Sequence, residues 1–251
     1  MMRRAETEDS ADDRVQRSEP AAEAESARNT TASFGLWPWV ELARRSGMSV
    51  EEFCDLADVA PTALRDAGMR FTQGVANRVA QLAYDHFGVE AAIAAALTVE
   101  AGQFSLLELI ARTAATVADG LETGCRFFPL LHSGGTLLHE TSADGSHALR
   151  WQPPADFEVH HGYLELTFAV ALIGIRRETS NEALFPLEVW FRHEASSQLE
   201  LHEQVLGPAI RFAMPHDRMV LGAAVAALPL TRGNAEIHAA AKKVGRSLLD
   251  D

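Results

Sequence analysis

A chain of 251 residues with 47% hydrophobic and 23% charged side chains has the composition of a globular protein with a sizeable core. Its formal charge of −13, with no Lys/Arg cluster beyond pairs such as Arg44-Arg45, Arg176-Arg177 and Lys242-Lys243, argues against a nucleic-acid surface of its own. No apolar run approaches the roughly 20 residues of a membrane span, and no apolar segment follows the basic residues at the start, so neither a membrane partner nor a secretory signal is expected.

Cys54 and Cys125 stand in no CxxC or metal-ligand spacing and read as buried thiols of a cytoplasmic protein. Residues 1–33 carry eight acidic and five basic side chains, no aromatic ring and, methionines apart, only Val15 as an aliphatic group larger than alanine. Such a stretch buries too little apolar area to offset its ordering entropy, so a disordered acidic tail is expected. Order is expected from Phe34, where FGLWPWVEL supplies aromatic anchors.

From there to about residue 133 the pattern is helical. Ser49 with Glu52, and Ser105 with Glu108, fit capping boxes. Val75, Val79 and Leu82 recur at helical spacing after Thr72, and Val117, Leu121, Cys125 and Phe128 do so in a helix that Pro129 ends. The segment HSGG (132–135) reads as a helix-to-strand connection. The period then becomes two: residues 135–142 and 146–153 flank Ala143-Asp144-Gly145 as a hairpin.

A long helix is expected over 160–177, apolar on most sides with a polar strip at Glu165 and Arg176, hence buried on most sides. PLEVWFRHE (186–194) reads as a third strand and residues 196–206 as a short helix. Two strands, 210–214 and 218–221, are expected to be joined by a tight turn at Pro215-His216-Asp217. Leu228-Pro229-Leu230 then leaves the sheet for a last helix over 234–249. The expected class is α+β: a helical part over about 34–133, then a mixed part over about 134–251 with helices packed on a small antiparallel sheet.

Chemistry-bearing patterns are sparse. The ten histidines form no HxxxH or HExxH, and adjacent His160 and His161 would diverge on a helix, so no metal site is expected. There is no GxSxG elbow, no GxGxxG and no P-loop, and neither cysteine has a nucleophile's local signature; no catalytic residue and no cofactor is expected. A ligand cleft could be lined by Arg150 on the second strand and by Trp190 and Arg192 on the third, with His160 and Tyr163 adding polar groups from the start of the long helix.

The closing order of elements is distinctive. LGPAIRF (206–212), the turn at PHDRM (215–219) and the exit at Leu228-Pro229-Leu230 resemble the N-terminal ligand-sensing domain, catalogued as arabinose-binding, of one branch of AraC-type transcription regulators. FSLLELIARTAATVADGL (104–121), leading to RFFPLL (126–131), is similar to that family's paired central helices. The likeness spans nearly all of 34–249. It implies a module that senses a small-molecule effector and dimerises, joined to a DNA-binding domain of two helix-turn-helix units. It carries over no invariant ligand-contacting motif, and arabinose is not implied as the effector.

The two helix-turn-helix units are not in this sequence, which leaves a fragment of a longer regulator or, slightly favoured by the long acidic N-terminal stretch, a stand-alone sensor. The expected partners are a small-molecule effector and a second copy of the chain. An alternative is an interaction module that heterodimerises with a full-length regulator and titrates it.

Overall fold

The structure is a computed structural model that describes residues 29–155 and 157–250. The expected tail thus falls outside the described residues as far as residue 28. Its last residues are ordered: β1 (Thr30–Ala32) pairs antiparallel with β2 (Arg70–Thr72), ahead of the aromatic anchors. Arg70 ties this ribbon down by donating from its guanidinium to Thr30 and to the carbonyls of Pro129 and Leu130.

The helical part comprises α1 (Ser33–Arg45), α2 (Val50–Ala57), α3 (Pro61–Leu64), α4 (Gln73–Phe87), α5 (Ala91–Ala96), α6 (Ser105–Arg112) and α7 (Val117–Phe127). Ser49 caps α2 as expected, accepting from the Glu52 amide at 3.1 Å. Ser105 does not cap α6. It sits inside the helix with φ +52°, and Glu108 reaches back instead to the amides of Gly102 (2.8 Å) and Phe104 (3.3 Å). Pro129 converts the end of α7 into a 3-10 turn, Phe128–Leu130.

The mixed part begins with the expected hairpin, β3 (Thr136–Thr141) and β4 (His147–Gln152), in a register that places Leu137 opposite Trp151 and Leu138 opposite Arg150. Helix α8 (His161–Thr179) follows, then β5 (Glu188–Trp190), α9 (Glu200–Leu206), β6 (Ile210–Arg211), β7 (Arg218–Leu221), α10 (Ala223–Ala226) and α11 (Ala235–Asp250). The five strands order as β3-β4-β7-β5-β6. The turn at residues 215–217 therefore closes no hairpin: β5 lies between β6 and β7. The chain bends at Ala213 (φ +54°), its amide donating to the His193 carbonyl, and Asp217 accepts from the Arg192 amide at 2.9 Å. The sheet is also not wholly antiparallel, because β5 and β6 run parallel.

Side chains on a strand alternate between faces. Leu137, Leu149, Trp151, Val189 and Met219 share the buried face, on which α8 packs; Phe168 of α8 stacks on Phe191 with ring centroids 5.8 Å apart. Helix α5, nearly all alanine, allows close packing against α8 from the other side. Helix α8 is thus buried on most sides, as its composition implies, but the strip thought polar is buried with it: Glu165 is 2% exposed and Arg176 7%. Arg176 donates to the Leu184 carbonyl and lies over the Phe185 ring. The Leu-Pro-Leu exit crosses to the helical part, where Leu230 N donates to the Ala115 carbonyl, and α11 then packs Ala241 and Gly245 against α6 and α7. One apolar core runs through both parts.

Candidate functional site

Where the two parts meet, a cavity of about 200 Å³ lies between α6, α7, the inner face of β3–β4 and the flank of α8. Its walls are aliphatic and aromatic: Leu107 and Leu121 from the helical part, Leu137 and Leu149 from the sheet, Leu166 and Val170 from α8. Two glycines hold space open. A Cβ added to Gly174 of α8 would meet nothing within 4 Å, and one added to Gly124 of α7 would meet only the Ala111 Cβ at 4.0 Å. Glycine in a helix interior costs roughly 0.5–1 kcal/mol relative to alanine. No close neighbour requires it at Gly174, in contrast to Gly245, whose added Cβ would lie 2.9 Å from Ile110 and Phe127.

One end of the cavity is closed by charge. Arg177 and Glu108 pair at 2.9 Å, Arg112 and Glu178 at 3.2 Å, and the cross pairs stand at 3.5 and 3.7 Å. The more exposed Arg232 also reaches Glu178 at 3.8 Å, so three cations meet two anions here. Tyr163, on the cavity wall, has a buried hydroxyl with no hydrogen-bond partner among the described residues. Its ring packs on His132, centroids 4.4 Å apart. His132 accepts or donates one bond, to the Thr31 hydroxyl at 2.9 Å, and burial pushes its pKa down to about 4.

A second polar centre occupies the first turns of α8. His160 is the N-cap, its Nδ1 accepting from the Gly162 amide at 3.1 Å. Because its backbone is not helical, its ring does not diverge from that of His161; the two stack at 4.4 Å. One turn on, the buried Glu165 carboxylate accepts from Tyr84 (2.7 Å) and from His202 Nε2 of α9 (2.9 Å), while His193 Nε2, just past β5, lies 2.9 Å from its other oxygen. Burial would raise the Glu165 pKa, but the contacts from His193 and His202 outweigh it and hold the carboxyl at about 2. Burial likewise opposes a charge on His193, and Glu165 reverses that, raising the imidazole above its ordinary value. Burial, then neighbouring His160, lower His161 to about 4.

The residues expected to share a cleft divide between faces. Arg150, Arg218 and Trp190 are lateral neighbours on the outer face of the sheet, away from the cavity. There Arg150 pairs with Glu140 at 2.6 Å, Arg218 pairs with Glu188, and the Arg218 guanidinium lies 4.0 Å from the Trp190 ring centroid. The Arg192 side chain is exposed. His160 belongs to the histidine centre, and of the five only Tyr163 lines the cavity.

The cluster around Glu165 escapes motif search because its members come from four elements. Two signals were present: His161 and Glu165 are four apart, hence on one helix face, and strand alternation carries Val189 and Phe191 on to His193. Among the described residues no helix is long and apolar enough to cross a membrane.

A family model described as "Arabinose-binding domain of AraC transcription regulator, N-term" matches residues 47–230. Among solved structures, the crystal structure of transcriptional regulator CdpR from Pseudomonas aeruginosa is similar, with a TM-score of 0.53 and 11% identity, over 77% of this chain. The similarity spans 60% of the CdpR chain. No curated protein sequence matches significantly.

Proposed function

We propose a sensor function on a plain premise: the chain belongs to the arabinose-binding domain family of AraC transcription regulators. The effector it senses in transcription regulation is a small, largely apolar molecule with one hydrogen-bonding group, held in the cavity beside α8. The observation that carries this reading is volume kept open at the expense of helix stability, by Gly174 and Gly124.

The chemistry of the walls excludes a sugar as the best fit. A pentose needs a partner for every buried hydroxyl, whereas these walls are aliphatic and polar atoms are confined to the charged rim and to Tyr163. A cavity of about 150 Å³ accommodates benzene, so the effector core is somewhat larger than that. The Tyr163 hydroxyl supplies the polar contact.

The test is a thermal-shift and native mass-spectrometry screen of apolar alcohols, phenols and carboxylic acids against the whole chain. Binders stabilise the folded chain by RT ln(1 + [L]/Kd) and so raise its melting temperature. Gly174→Leu, which fills the cavity, abolishes the shift, and Tyr163→Phe weakens binding by roughly 3–10-fold. Sugars shifting the chain while every apolar compound fails, or a Gly174→Leu protein that still responds, would refute the reading.

Dimerisation is proposed through α11. Ile237, Val244 and Leu248 recur at intervals of seven and four along the edge of the face that buries Ala241 and Gly245, and each is about half exposed (46%, 52% and 56%). The partner is a second copy or the matching helix of a full-length regulator. Val244→Lys renders the chain monomeric in sedimentation; an unchanged assembly removes α11 from the interface.

A further inference from the structure

We propose that the first turns of α8 carry a binding site for a divalent transition-metal ion of the zinc class, with His161, Glu165 and His193 as ligands. Their ligand atoms all lie within 4.8 Å of one another. Two imidazoles and a carboxylate are a donor set suited to zinc and its neighbours in the first transition row. Around a tetrahedral zinc, donors bonded at 2.0–2.1 Å stand roughly 3.4 Å apart, so His161 moves inward while the His193–Glu165 pair, now at 2.9 Å, opens by about half an ångström, both within reach of side-chain rotation.

Hydrogen bonding points two of the three donors inward. His193 Nδ1 lies 2.9 Å from the Glu194 carbonyl, which can only accept. Nδ1 therefore carries the proton, and in the neutral ring Nε2 presents a lone pair. That Nε2 lies 2.9 Å from Glu165 Oε1, yet it is buried without a properly aligned hydrogen bond. Two lone-pair atoms at this separation repel unless a cation stands between them or the ring is fully protonated. The other carboxylate oxygen is occupied by Tyr84 and His202, which orients Oε1 toward the gap. A backbone carbonyl on the distal nitrogen and donors on the second oxygen are the supports that metal-binding histidines and carboxylates use. His161 completes the set: its ring lies tilted against His193 with centroids 4.5 Å apart, and its ring nitrogens make no hydrogen bond among the described residues.

Such an ion would join the start of α8, whose next turns line the cavity, to the segment that leaves β5. The site is separate from the cavity, so its fate does not decide the sensor reading.

The whole chain, stripped with a chelator and dialysed against micromolar zinc near neutral pH, is expected to retain one equivalent by elemental analysis. Cobalt in its place is expected to give the visible absorption of a low-coordinate site. His161→Ala, which loses no hydrogen bond, weakens uptake at least tenfold, His193→Gln does the same, and His216→Ala on the outer sheet face leaves it unchanged. If the folded wild-type chain retains no zinc, His193 is held to Glu165 by a proton alone and the proposal falls. Uptake undiminished in His161→Ala, measured on a chain of unaltered circular dichroism, overturns it equally, since binding then lies elsewhere.

Discussion

Helix α8 faces two opposite packing problems along its length. In its first turns, polar groups from α4, α9 and the end of β5 crowd around one buried carboxylate. Three turns on, the same helix faces apolar walls that leave space unfilled. Its glycines record the contrast. A Cβ on Gly162 would sit 2.5 Å from the Tyr84 ring, while a Cβ on Gly174 would meet nothing. At the first position glycine permits close approach; at the second it preserves volume. A rigid polar knot beside an underfilled apolar wall is an arrangement in which an occupant of the cavity can add order without rebuilding the helix.

The knot offers the largest effect. Glu165→Ala leaves the Tyr84 hydroxyl and His202 without their shared acceptor and removes the carboxylate beside His193, and breaking a buried charge pair from one side costs roughly 3–5 kcal/mol. Urea denaturation of the variant measures it. A loss below about 1 kcal/mol would mean the knot does not anchor α8.

Next in size is an acid response at the border of the two regions. His132, fully buried against Tyr163 and Trp151, has its pKa lowered to about 4 by burial, from an ordinary 6.5. Between those values the unfolded chain holds the extra proton and the folded chain does not, so stability falls as pH drops through this window. The loss is on the order of 3 kcal/mol. Denaturation midpoints at several pH values give the slope, and His132→Phe reduces it, leaving the share of His161, which burial also lowers to about 4. The Glu165 contribution is separable: a carboxyl held at about 2 adds stability above its ordinary value of 4.5 and loses it only as pH falls below that.

How much of this could be read from the residues depends on whether a feature is local. The extent of α8, the β3–β4 hairpin and the Ser49 cap follow from neighbours within a few positions, and all appear where expected. The strands around Pro215-His216-Asp217 were misleading because adjacency in sequence suggests pairing, whereas β5 inserts between them through contacts more than 20 residues distant. Glu165 read only as part of a narrow polar strip on α8 because its partners, Tyr84, His193 and His202, are remote in sequence. The cavity was legible only as a location, the junction of sheet and α8. Volume depends on how side chains from several elements meet, and Arg150, Trp190 and Arg192 were drawn into the expected cleft by residue type before strand register assigned Arg150 and Trp190 to the outer face.

The smaller effects come from the two glycines and have opposite signs. Gly162→Ala forces Tyr84 away from Glu165, an overpacking worth about 1–3 kcal/mol of lost stability. Gly174→Ala introduces a methyl group into open space and removes backbone freedom from the unfolded chain, so it stabilises by roughly 0.5–1 kcal/mol. A glycine kept for close packing gives the first result, whereas a glycine kept for an occupant gives the second together with weaker effector binding. Thermal denaturation of Gly174→Ala with and without an apolar binder therefore separates the alternatives. Higher stability alone and a smaller ligand-induced shift would show that helix stability is given up to keep the cavity open, while lower stability without ligand would mean Gly174 is packed against a neighbour after all.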